Sequence, residues 1–424
     1  MRVLIVNTSE RTGGAAVAAS RLMEALNNNG VKAKMVVRDK ETAALTVAAL
    51  PNQRRSRWHF LWERFVIWLQ LRLDKRHLFD IDTARCGTDI TRLPEFLEAD
   101  VIHLHWVNQG MLSLKGIDKI LQSGKPVVWT MHDIWPATAL CHLTLDCRRF
   151  ETQCNNCRLL PNGGSDHDLA ARTWQRKQPV LQRHPITFVA CSEWLAGEAR
   201  QSALLQGQTV VSIPNPIDTH VFRPGSQLEA RQLLQLPADR RIVLFASQRV
   251  TNPYKGMDYL VEACRLLAEQ HPETKEQLAV AVLGGHAEEI IGQLPFPAYA
   301  LGYVNDERRI VAAYRAADVF VLPSLSENLP NTIMESMACG VPCVGFRIGG
   351  IPEEIDHRQN GYVAEYRNSE DLARGIWWTL YEADHAAVQQ SCQQKVAHHY
   401  SQQSVAERYL KIYENSCHHH HVSC

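Results

Sequence analysis

The sequence has no excess of charge of either sign and no long hydrophobic run. Lys and Arg together number 45, as do Asp and Glu, so the chain has no net basic field that would attract nucleic acid. No apolar run reaches the roughly 20 residues that a membrane-spanning helix needs. Only four apolar residues separate Arg2 from Asn7, too few for the core of a secretory signal peptide. We therefore expect a cytoplasmic protein without a nucleic-acid partner.

The composition is that of a folded globular protein. The chain has 424 residues, 45% of them hydrophobic and 21% charged, which is enough for two domains of ordinary size. In a cytoplasmic protein, the 12 cysteines are expected to be thiols or metal ligands rather than disulfides.

The stretch from Asp318 to Ile355 has the clearest succession of elements. The apolar run Val319–Leu322 predicts a buried parallel strand. After a loop, Asn331 stands where a helix N-cap is expected, and Gly340 ends that helix. A second strand, Cys343–Phe346, follows at once. This order predicts an α/β fold with a parallel sheet.

Two glutamates stand in this stretch where a ligand is expected. Glu327 follows the first strand, and Glu335 lies in the first turns of the helix. Ligands of open parallel sheets bind at the carboxyl ends of the strands, and ionised carboxylates accept strong hydrogen bonds from hydroxyl groups. The pair predicts a site for a ligand rich in hydroxyls; the alternative is two ordinary surface carboxylates.

The arrangement of this stretch resembles a known family. The two glutamates stand in a D-V-F-V-L-P-S…E…E-S-M-A-C-G-x-P frame that is followed by G-G-x-x-E, with the glycines at Gly349 and Gly350. This is similar to the signature of the retaining family 4 glycosyltransferases, which have the GT-B fold. The resemblance implies two doubly wound Rossmann-like domains that face each other across a cleft.

The resemblance also implies roles for individual residues. Glu327 would face the donor sugar, and Glu335 would hold the ribose hydroxyls of the nucleotide. The sequence departs from the family directly after the first glutamate, where Gly-Phe-Gly is usual and Asn328-Leu329-Pro330 stands here. Pro330 has no N–H to offer a sugar. Asn328, Leu329 and Asn331 are nevertheless assigned to the donor site.

Two cations follow the first strand of the second half. Ile242–Ser247 predicts a strand, Arg249 comes just after it, and Lys255 precedes a helix. An Arg and a Lys at a strand-to-helix crossing can clamp a diphosphate; the alternative is two solvated surface cations. The resemblance implies that Arg249 and Lys255 neutralise the leaving pyrophosphate and that catalysis requires no metal or other cofactor.

The N-terminus opens with a strand, a glycine-containing loop and a helix. Val3–Val6 predicts the strand, Gly13 and Gly14 lie in the loop, and the helix begins near Ala15. Such a loop lets backbone N–H groups approach a ligand closely, and a plain tight turn is the alternative. The resemblance places Gly13 and Gly14 beside the donor or the acceptor.

A histidine follows another predicted strand. Val127–Met131 is the strand, and His132-Asp133 stands at its carboxyl end, a position that favours ligand contact. The resemblance implies that His132 meets the donor sugar at the reaction centre; the alternative is a structural histidine. We expect His103 and His105, at the end of the preceding strand, to be structural.

Residues 54–79 are unusually rich in tryptophan and arginine. Trp58, Trp62 and Trp68 alternate with apolar and basic residues, as in helices that lie on an anionic membrane surface. The alternative is a helix buried against the domain, with its arginine stems along apolar surface. The two interpretations stay open: as a membrane-surface helix, residues 54–79 would contact the inner face of the cytoplasmic membrane, near a lipid-linked acceptor.

Four cysteines are clustered between residues 141 and 157. Their spacing, closing in Cys-x2-Cys, favours a tetrahedral structural zinc, with free thiols as the alternative: Cys141, Cys147, Cys154 and Cys157. Four protein ligands would leave no open position on the metal for catalysis. A cysteine-rich insert after an H-D-x-W segment also resembles exopolysaccharide glycosyltransferases of the colanic-acid type.

The domain boundaries follow from these elements. We predict a first domain over residues 1–213, a proline-stiffened linker over 214–224 and a nucleotide-sugar domain over 225–398. A last helix within 399–416 would return to the first domain, as the family's does. The histidine run from His418 to His421 is excluded from the site.

The sequence therefore predicts a retaining glycosyltransferase. It would move a sugar from a nucleotide-diphosphate sugar to a hydroxyl of a glycan acceptor. That acceptor would be a lipid-linked oligosaccharide in exopolysaccharide or lipopolysaccharide biosynthesis. The predicted catalytic residues are His132, Glu327, Arg249 and Lys255. The alternatives are an inactive sugar-nucleotide-binding scaffold and a sugar-nucleotide epimerase of the same fold.

Overall fold

The computed structural model describes residues 1–419 of the chain, which form two compact units. The first unit comprises Met1–Pro216 together with the C-terminal residues from Val405, and the second comprises Ile217–Ser404. Each unit is built around one sheet in which the strand pairs are parallel. His420 and His421 of the C-terminal histidine run lie outside the described residues.

The sheet of the first unit has seven strands in the order β3-β2-β1-β4-β5-β6-β7. The strands are β1 Arg2–Ser9, β2 Lys32–Asp39, β3 Val47–Ala49, β4 Val101–Leu104, β5 Val127–Met131, β6 Thr187–Ala190 and β7 Thr209–Ser212. The accompanying helices are α1 Gly14–Asn28, α2 Gln53–Gln70, α3 Pro94–Glu98, α4 Leu114–Gln122, α5 Leu169–Arg183 and α6 Glu193–Arg200.

The sheet of the second unit has six strands in the order β10-β9-β8-β11-β12-β13. The strands are β8 Arg241–Arg249, β9 Leu278–Gly285, β10 Ala298–Gly302, β11 Val319–Leu322, β12 Cys343–Phe346 and β13 Gly361–Ala364. The helices are α7 Gln227–Leu234, α8 Met257–Gln270, α9 Thr274–Gln277, α10 Glu307–Ala316, α11 Asn331–Ala338, α12 Ile351–Glu354, α13 Ser369–Trp377 and α14 His385–His399.

The last helix, α15 Gln402–His419, packs on the first unit from Val405 onward. Its residues Val405, Tyr409 and Tyr413 are buried in a core cluster that includes Val3 and Ile5 of β1. Apolar side chains of the α15 face thus cover one side of the first sheet, as an amphipathic helix does.

The predicted strands that are buried on both faces are found at the predicted places. β5, β11 and β12 have the predicted bounds. Their bounds could be predicted because central parallel strands are continuous apolar runs. One helix start differs by a residue: α11 begins at Asn331, and Pro330 is its N-cap. A proline suits a helix start because its fixed φ and missing N–H cost nothing there.

Several elements were not predicted. β3 is a three-residue strand at the sheet edge, too short to show a periodic pattern. The helix α5 contains Pro179, which on sequence grounds argues against a helix interior. Within residues 1–419, no helix combines the length and the apolar content that crossing a bilayer requires.

Candidate functional site

In the second unit, the predicted cations and carboxylates lie at one edge of the sheet. β8 and β11 are neighbours, and Arg249 ends β8 while Glu327 follows β11. The two loops are joined directly, since the backbone N–H of Leu325 donates to the carbonyl of Tyr254 over 2.8 Å. The carboxyl ends of adjacent parallel strands therefore bring the predicted donor residues into one place.

Lys255 and Glu327 form an ion pair between these two loops. The Nζ of Lys255 contacts the Oε1 of Glu327, and the two side chains are 30% and 12% exposed. The short 3₁₀ turn that carries Lys255 ends at Gly256, whose φ is 70°. A Cβ at Gly256 would stand 1.8 Å from the carbonyl oxygen of Pro323, so only glycine allows the Lys255 loop to approach so closely.

The trailing Gly349-Gly350 holds the Glu327 loop from the other side. Gly350 N–H donates to the carbonyl of Asn328 over 2.7 Å. Gly349 has a φ of 55°, and a Cβ there would stand 1.8 Å from the carbonyl oxygen of Glu327. The pair of glycines therefore positions the backbone of the first glutamate.

Glu335 is held by a residue that the sequence did not single out. Its side chain is largely buried, and the hydroxyl of Tyr314 on α10 donates to its Oε2 over 2.7 Å. Asn331 begins the same helix, and Leu329 is buried in the loop ahead of it. Arg249 is exposed, and its Nε donates to the hydroxyl of Thr251 over 3.1 Å. This edge thus carries cations beside carboxylates, a set that can bind an anion and hydroxyl groups together.

In the first unit, the glycine loop after β1 is occupied in part by its own chain. Gly13 has a φ of 93° and precedes the first residue of α1. The carboxylate of Glu41 accepts from the backbone N–H groups of Arg11 and Thr12 over 3.3 and 3.1 Å, respectively. Those two N–H groups are therefore committed to Glu41.

His132 lies in a row of polar side chains at the carboxyl ends of four neighbouring strands. Its Nε2 is 2.9 Å from the Nδ1 of His105, and its Nδ1 is 3.5 Å from the Sγ of Cys191. The Sγ of Cys191 donates to the Oδ1 of Asn215 over 3.1 Å. Burial lowers the pKa of His132 to about 4, against the opposing effect of Asp133, and it lowers the pKa of His105 well below its ordinary value.

His103, two residues before His105, is bonded on both ring nitrogens. Its Nδ1 is 2.7 Å from the hydroxyl of Tyr413, and its Nε2 is 2.8 Å from the hydroxyl of Thr130. Tyr409 reaches the same Thr130 hydroxyl over 2.8 Å. The contacts of His103 are those of a structural histidine.

A charged network surrounds Asp133, next to His132. His142 bridges two carboxylates, with its Nδ1 2.8 Å from Asp133 and its Nε2 2.9 Å from Asp82. Although burial opposes it, these two carboxylates raise the pKa of His142 to about 10. Arg64 of α2 also pairs with the fully buried Asp82. The sequence pattern did not identify Asp82, because nothing local distinguishes a carboxylate that meets partners 18 and 60 residues away.

The helix α2 has its polar side inward and its apolar side outward. It buries Glu63, Arg64 and Ile67, and Glu63 accepts from the N–H and hydroxyl of Thr83. The outward face repeats at helical spacing and consists of Trp58, Leu61, Trp62, Phe65 and Leu69. Trp58 is 68% and Trp62 is 55% exposed, whereas Trp68 is half-buried.

The four clustered cysteines lie near one another, but they do not form a metal centre as they stand. Burial raises the pKa of Cys141 to about 12, and the other three thiols add to that rise. Across residues 1–419, however, no group of three or more His, Cys, Asp or Glu side chains has an arrangement that could hold a metal ion. The structural zinc at these four cysteines therefore stays a prediction from their spacing.

Comparisons with known proteins match both units. The sequence model of Glycosyltransferase Family 4 matches residues 12–221, and that of Glycosyl transferases group 1 matches residues 240–381. Over 178 residues the chain is 33% identical to D-inositol 3-phosphate glycosyltransferase 2 of Catenulispora acidiphila, an alignment that covers 39% of this chain and 41% of that protein. The chain spans about half the length of the curated relatives it matches.

Solved structures show the same fold. HepE of Anabaena, in complex with UDP-glucose, has a TM-score of 0.63 at 16% identity, over 98% of this chain and 100% of that one. WaaG, a glycosyltransferase involved in lipopolysaccharide biosynthesis, has a TM-score of 0.62 at 13% identity, over 97% of this chain and 99% of that one. The two sequence models together cover most of the chain, one model in each unit, so the chain belongs to the family 4 glycosyltransferases. Its two Rossmann-like units are those of the GT-B fold.

Proposed function

We propose that the protein transfers a sugar from a nucleoside diphosphate sugar to a hydroxyl of a glycan acceptor, with retention of the anomeric configuration. The observation that carries this proposal is the ion pair of Lys255 and Glu327 at the carboxyl ends of β8 and β11, beside Glu335. That group of side chains suits a ligand with a diphosphate and several hydroxyls. The HepE structure contains UDP-glucose, which supports a donor of this class.

Each charged residue has a role that follows from its contacts. Lys255 and Arg249 stabilise the diphosphate as it leaves, where negative charge develops. Glu335, with one oxygen held by Tyr314, accepts hydrogen bonds from the ribose. Glu327 orients the donor sugar, and His132 lies at the reacting face. Gly13 and Gly14 bring the start of α1 close to the bound substrates.

Retention is proposed to occur without a covalent enzyme intermediate. Glu327, the carboxylate assigned to the sugar, is already paired with Lys255. An ion-paired carboxylate is a weaker nucleophile than an unpaired one. The acceptor hydroxyl then attacks on the face from which the diphosphate departs, and a departing phosphate oxygen takes the hydroxyl proton. No step of this scheme needs a metal ion.

The acceptor is proposed to be a lipid-linked glycan in exopolysaccharide or lipopolysaccharide biosynthesis, and the enzyme to work at the inner face of the membrane. The exposed tryptophans of α2 support this, since an outward apolar stripe flanked by the exposed Arg54, Arg55 and Arg57 fits an anionic lipid surface. WaaG, which has the same fold, acts in lipopolysaccharide biosynthesis.

Nucleotide binding tests the donor site. Thermal unfolding would be followed with UDP, GDP, ADP and CMP and their common sugars. One nucleotide should raise the midpoint in the wild type, and Lys255→Ala and Glu335→Ala should abolish that rise. Lys275→Ala, an exposed lysine at α9, is the matched control and should keep it. A folded wild type that responds to no nucleotide would contradict the donor site, whereas nucleotide binding without any sugar transfer would indicate the inactive scaffold.

Product stereochemistry tests retention and separates transfer from epimerisation. With the nucleotide sugar identified above and a glycan acceptor, the anomeric proton coupling of the product should match that of the donor. An inverted product would contradict the mechanism. Conversion of the nucleotide sugar into its epimer without an acceptor would identify the epimerase alternative.

Vesicle binding tests the membrane contact. The wild type should sediment with vesicles that contain phosphatidylglycerol more than with pure phosphatidylcholine. The double variant Trp58→Ser/Trp62→Ser should lose most of this binding. Leu97→Ser and Leu228→Ser, which change exposed leucines on α3 and α7, are controls and should bind as the wild type does. Equal binding by the double variant would exclude the α2 surface.

A further inference from the structure

The polar row of the first unit follows the order of the strands. Strands β4, β5, β6 and β7 are successive neighbours in the sheet, and His105, His132, Cys191 and Asn215 stand at or just beyond their carboxyl ends. Their hydrogen bonds run in the same order. His103 and His105 are two residues apart, as are Thr130 and His132, so each pair lies on one face of the sheet. Tyr409 and Tyr413 of α15 cover that face.

The donor and the acceptor of each hydrogen bond in the row can be deduced by starting from Asn215, its last member. The Oδ1 of Asn215 can only accept, so the Cys191 thiol donates its proton there. With that proton used, the sulfur can only accept from His132, whose Nδ1 must carry a hydrogen. A neutral His132 then has a bare Nε2, which must accept from the Nδ1–H of His105.

This chain of donors ends at an atom without a partner. A neutral His105 that carries its hydrogen on Nδ1 has a bare Nε2. That Nε2 is buried, and no hydrogen-bond partner reaches it within the part of the chain that the structure describes. Buried polar atoms are nearly always bonded, and the Nε2 of His105 is one of several exceptions among the described residues, so a proton moved to it would find no acceptor.

We propose that His105 is a positioning residue, which donates from Nδ1 to hold His132 in its Nδ1–H tautomer and thereby keeps the His132 ring uncharged. The proposal rests on the function proposed above, in which His132 lies at the reacting face. Positive charge develops on the sugar when the diphosphate departs, and an imidazolium beside it would oppose that charge. Lys255 and Arg249 already supply the cations that the leaving group needs.

The hydrogen-bond geometry explains how His105 prevents protonation. If Nε2 of His132 gained a proton, it would face the Nδ1–H of His105. To relieve that clash, His105 would have to move its own proton to the buried Nε2, where the described residues offer no acceptor. Burial acts in the same direction, since it lowers the pKa of both rings.

The ionisable groups around His132 come from several elements. His103 lies in β4, and His105 directly follows that strand. Asp133 is the next residue in the chain after His132, Cys191 follows β6, and Tyr409 and Tyr413 belong to α15. Burial lowers the pKa of His132, and the carboxylate of Asp133, which accepts from Trp106 and pairs with His142, opposes that effect. His105 therefore decides whether His132 can accept a proton at Nε2.

The first test is made on the wild type and needs no substrate. In protein labelled with ¹⁵N-histidine, nitrogen shifts report which ring nitrogen carries the hydrogen. We expect His132 and His105 as Nδ1–H tautomers, with no titration of either ring between about pH 5.5 and 8, a window set by the ordinary histidine pKa. An Nε2–H tautomer of His132, or its titration in that window, would overturn the proposal.

The second test uses His105→Asn. The amide can turn and present its oxygen to a protonated His132, so we expect the His132 titration to move up by at least about one pH unit. The transfer rate should then fall as the pH is lowered through that titration, whereas the wild-type rate shows no such step. Tyr413→Phe, which removes a buried hydrogen bond from His103, is the control and should leave the His132 titration unchanged.

The two proposals fail in different ways. If the wild type shows the expected tautomers but neither binds a nucleotide nor transfers a sugar, the proposed function fails and the hydrogen-bond chain stands. If the wild type is active and His105→Asn changes neither the titration nor the pH profile, the role of His105 is refuted and the proposed function stands.

Discussion

The two units place different chemistry at equivalent edges of their sheets. In the second unit, the strand ends carry ions that pair with one another and remain partly exposed, such as Lys255 and Glu327. In the first unit, the strand ends carry the buried ring of His105 and the partly buried ring of His132, and desolvation lowers the pKa of both. One edge suits a charged ligand, whereas the other holds two histidines of lowered pKa beside the ion pair of Asp133 and His142.

The difference has a simple physical basis. Burying an unpaired charge is costly, so ions persist only where a partner or water remains close. Lys255 meets both conditions, since it has Glu327 and 30% of its side chain is exposed. In the histidine row, by contrast, burial lowers the pKa of His105 and His132, and these two rings are joined by a hydrogen bond between uncharged groups. The proposed roles thus assign charge stabilisation to one edge and positioning to the other. The predictions below test that separation.

Loss of the cation in the second unit should have the largest effect. Lys255→Ala removes a charge from the point where the diphosphate develops its own, so kcat/KM for transfer should fall by about 10²–10³. Steady-state kinetics with the donor identified by thermal shift would measure it. Lys275→Ala should remain near the wild type. A fall of less than about fivefold would mean that Lys255 is not the clamp.

A methyl group behind Glu327 should have the next largest effect. In Gly349→Ala, the new Cβ would meet the carbonyl oxygen of Glu327 at 1.8 Å in a backbone of φ 55°, so the loop must move. We expect donor affinity to fall at least tenfold and the unfolding free energy to fall by about 1–3 kcal/mol. Titration calorimetry and urea unfolding would measure the two.

The matched control for that variant is Gly292→Ala. A Cβ at Gly292 meets no atom within 4 Å, and its φ is outside the strained range. If Gly292→Ala and Gly349→Ala behave alike, close packing behind the first glutamate does not shape the site.

Loss of the hydrogen bond from Tyr314 to Glu335 should have a smaller effect. Tyr314→Phe removes the hydroxyl that donates to Oε2 over 2.7 Å, which leaves the carboxylate less well oriented for the ribose. A single such bond is worth about 0.5–1.5 kcal/mol, so nucleotide affinity should fall by roughly three- to tenfold. Tyr381→Phe removes a hydroxyl that donates to Gln277 just before the start of β9, away from the donor edge, and should not change affinity. Equal losses in both variants would argue against a specific role for Tyr314.

The smallest effect concerns a buried carboxylate of the first unit. Burial, and then the neighbouring Asp82, raise the pKa of Glu63 from 4.5 to about 7. Between those values the folded protein binds more protons than the unfolded chain, so the unfolding free energy should decrease as the pH rises. Glu63→Gln should flatten that slope in urea unfolding at pH 5, 6 and 7.

The control for that slope is Glu269→Gln, which changes an exposed glutamate on α8. It should unfold with the pH dependence of the wild type. If Glu63→Gln also keeps the wild-type slope, Glu63 ionises as readily when folded as when unfolded.

The donor edge was largely predictable because its residues lie close to strand ends in sequence. Glu327 and Lys255 each follow a recognisable strand by a few residues, and parallel packing brings such ends together. Tyr314 was not predictable, because it comes from a helix whose periodic pattern reports only that the residue faces inward. A tyrosine on a buried helix face does not by itself name the carboxylate that it meets.

The α2 segment shows the limit of pattern analysis in another way. The sequence left open whether Trp58 and Trp62 face a membrane or the core. The structure turns them outward because Arg64 pairs with the buried Asp82 and Glu63 bonds to Thr83. Asp82 follows Arg64 by 18 residues and Thr83 follows Glu63 by 20, and both partners lie beyond the end of α2, so no helical period contains them.

The sequence alone therefore determined the local properties: the buried strands, the glycine turns, the family signature with its two glutamates, and the cations that follow β8. These depend on neighbours within a few residues, for which backbone sterics and hydrophobic periodicity are sufficient. Only the tertiary structure decided which face of α2 is buried, that Tyr314 holds Glu335, and that His105, His132, Cys191 and Asn215 form one hydrogen-bonded row. Those outcomes depend on contacts between distant segments, because hydrogen-bond geometry and the cost of burying charge act only after the sheet has brought the segments together.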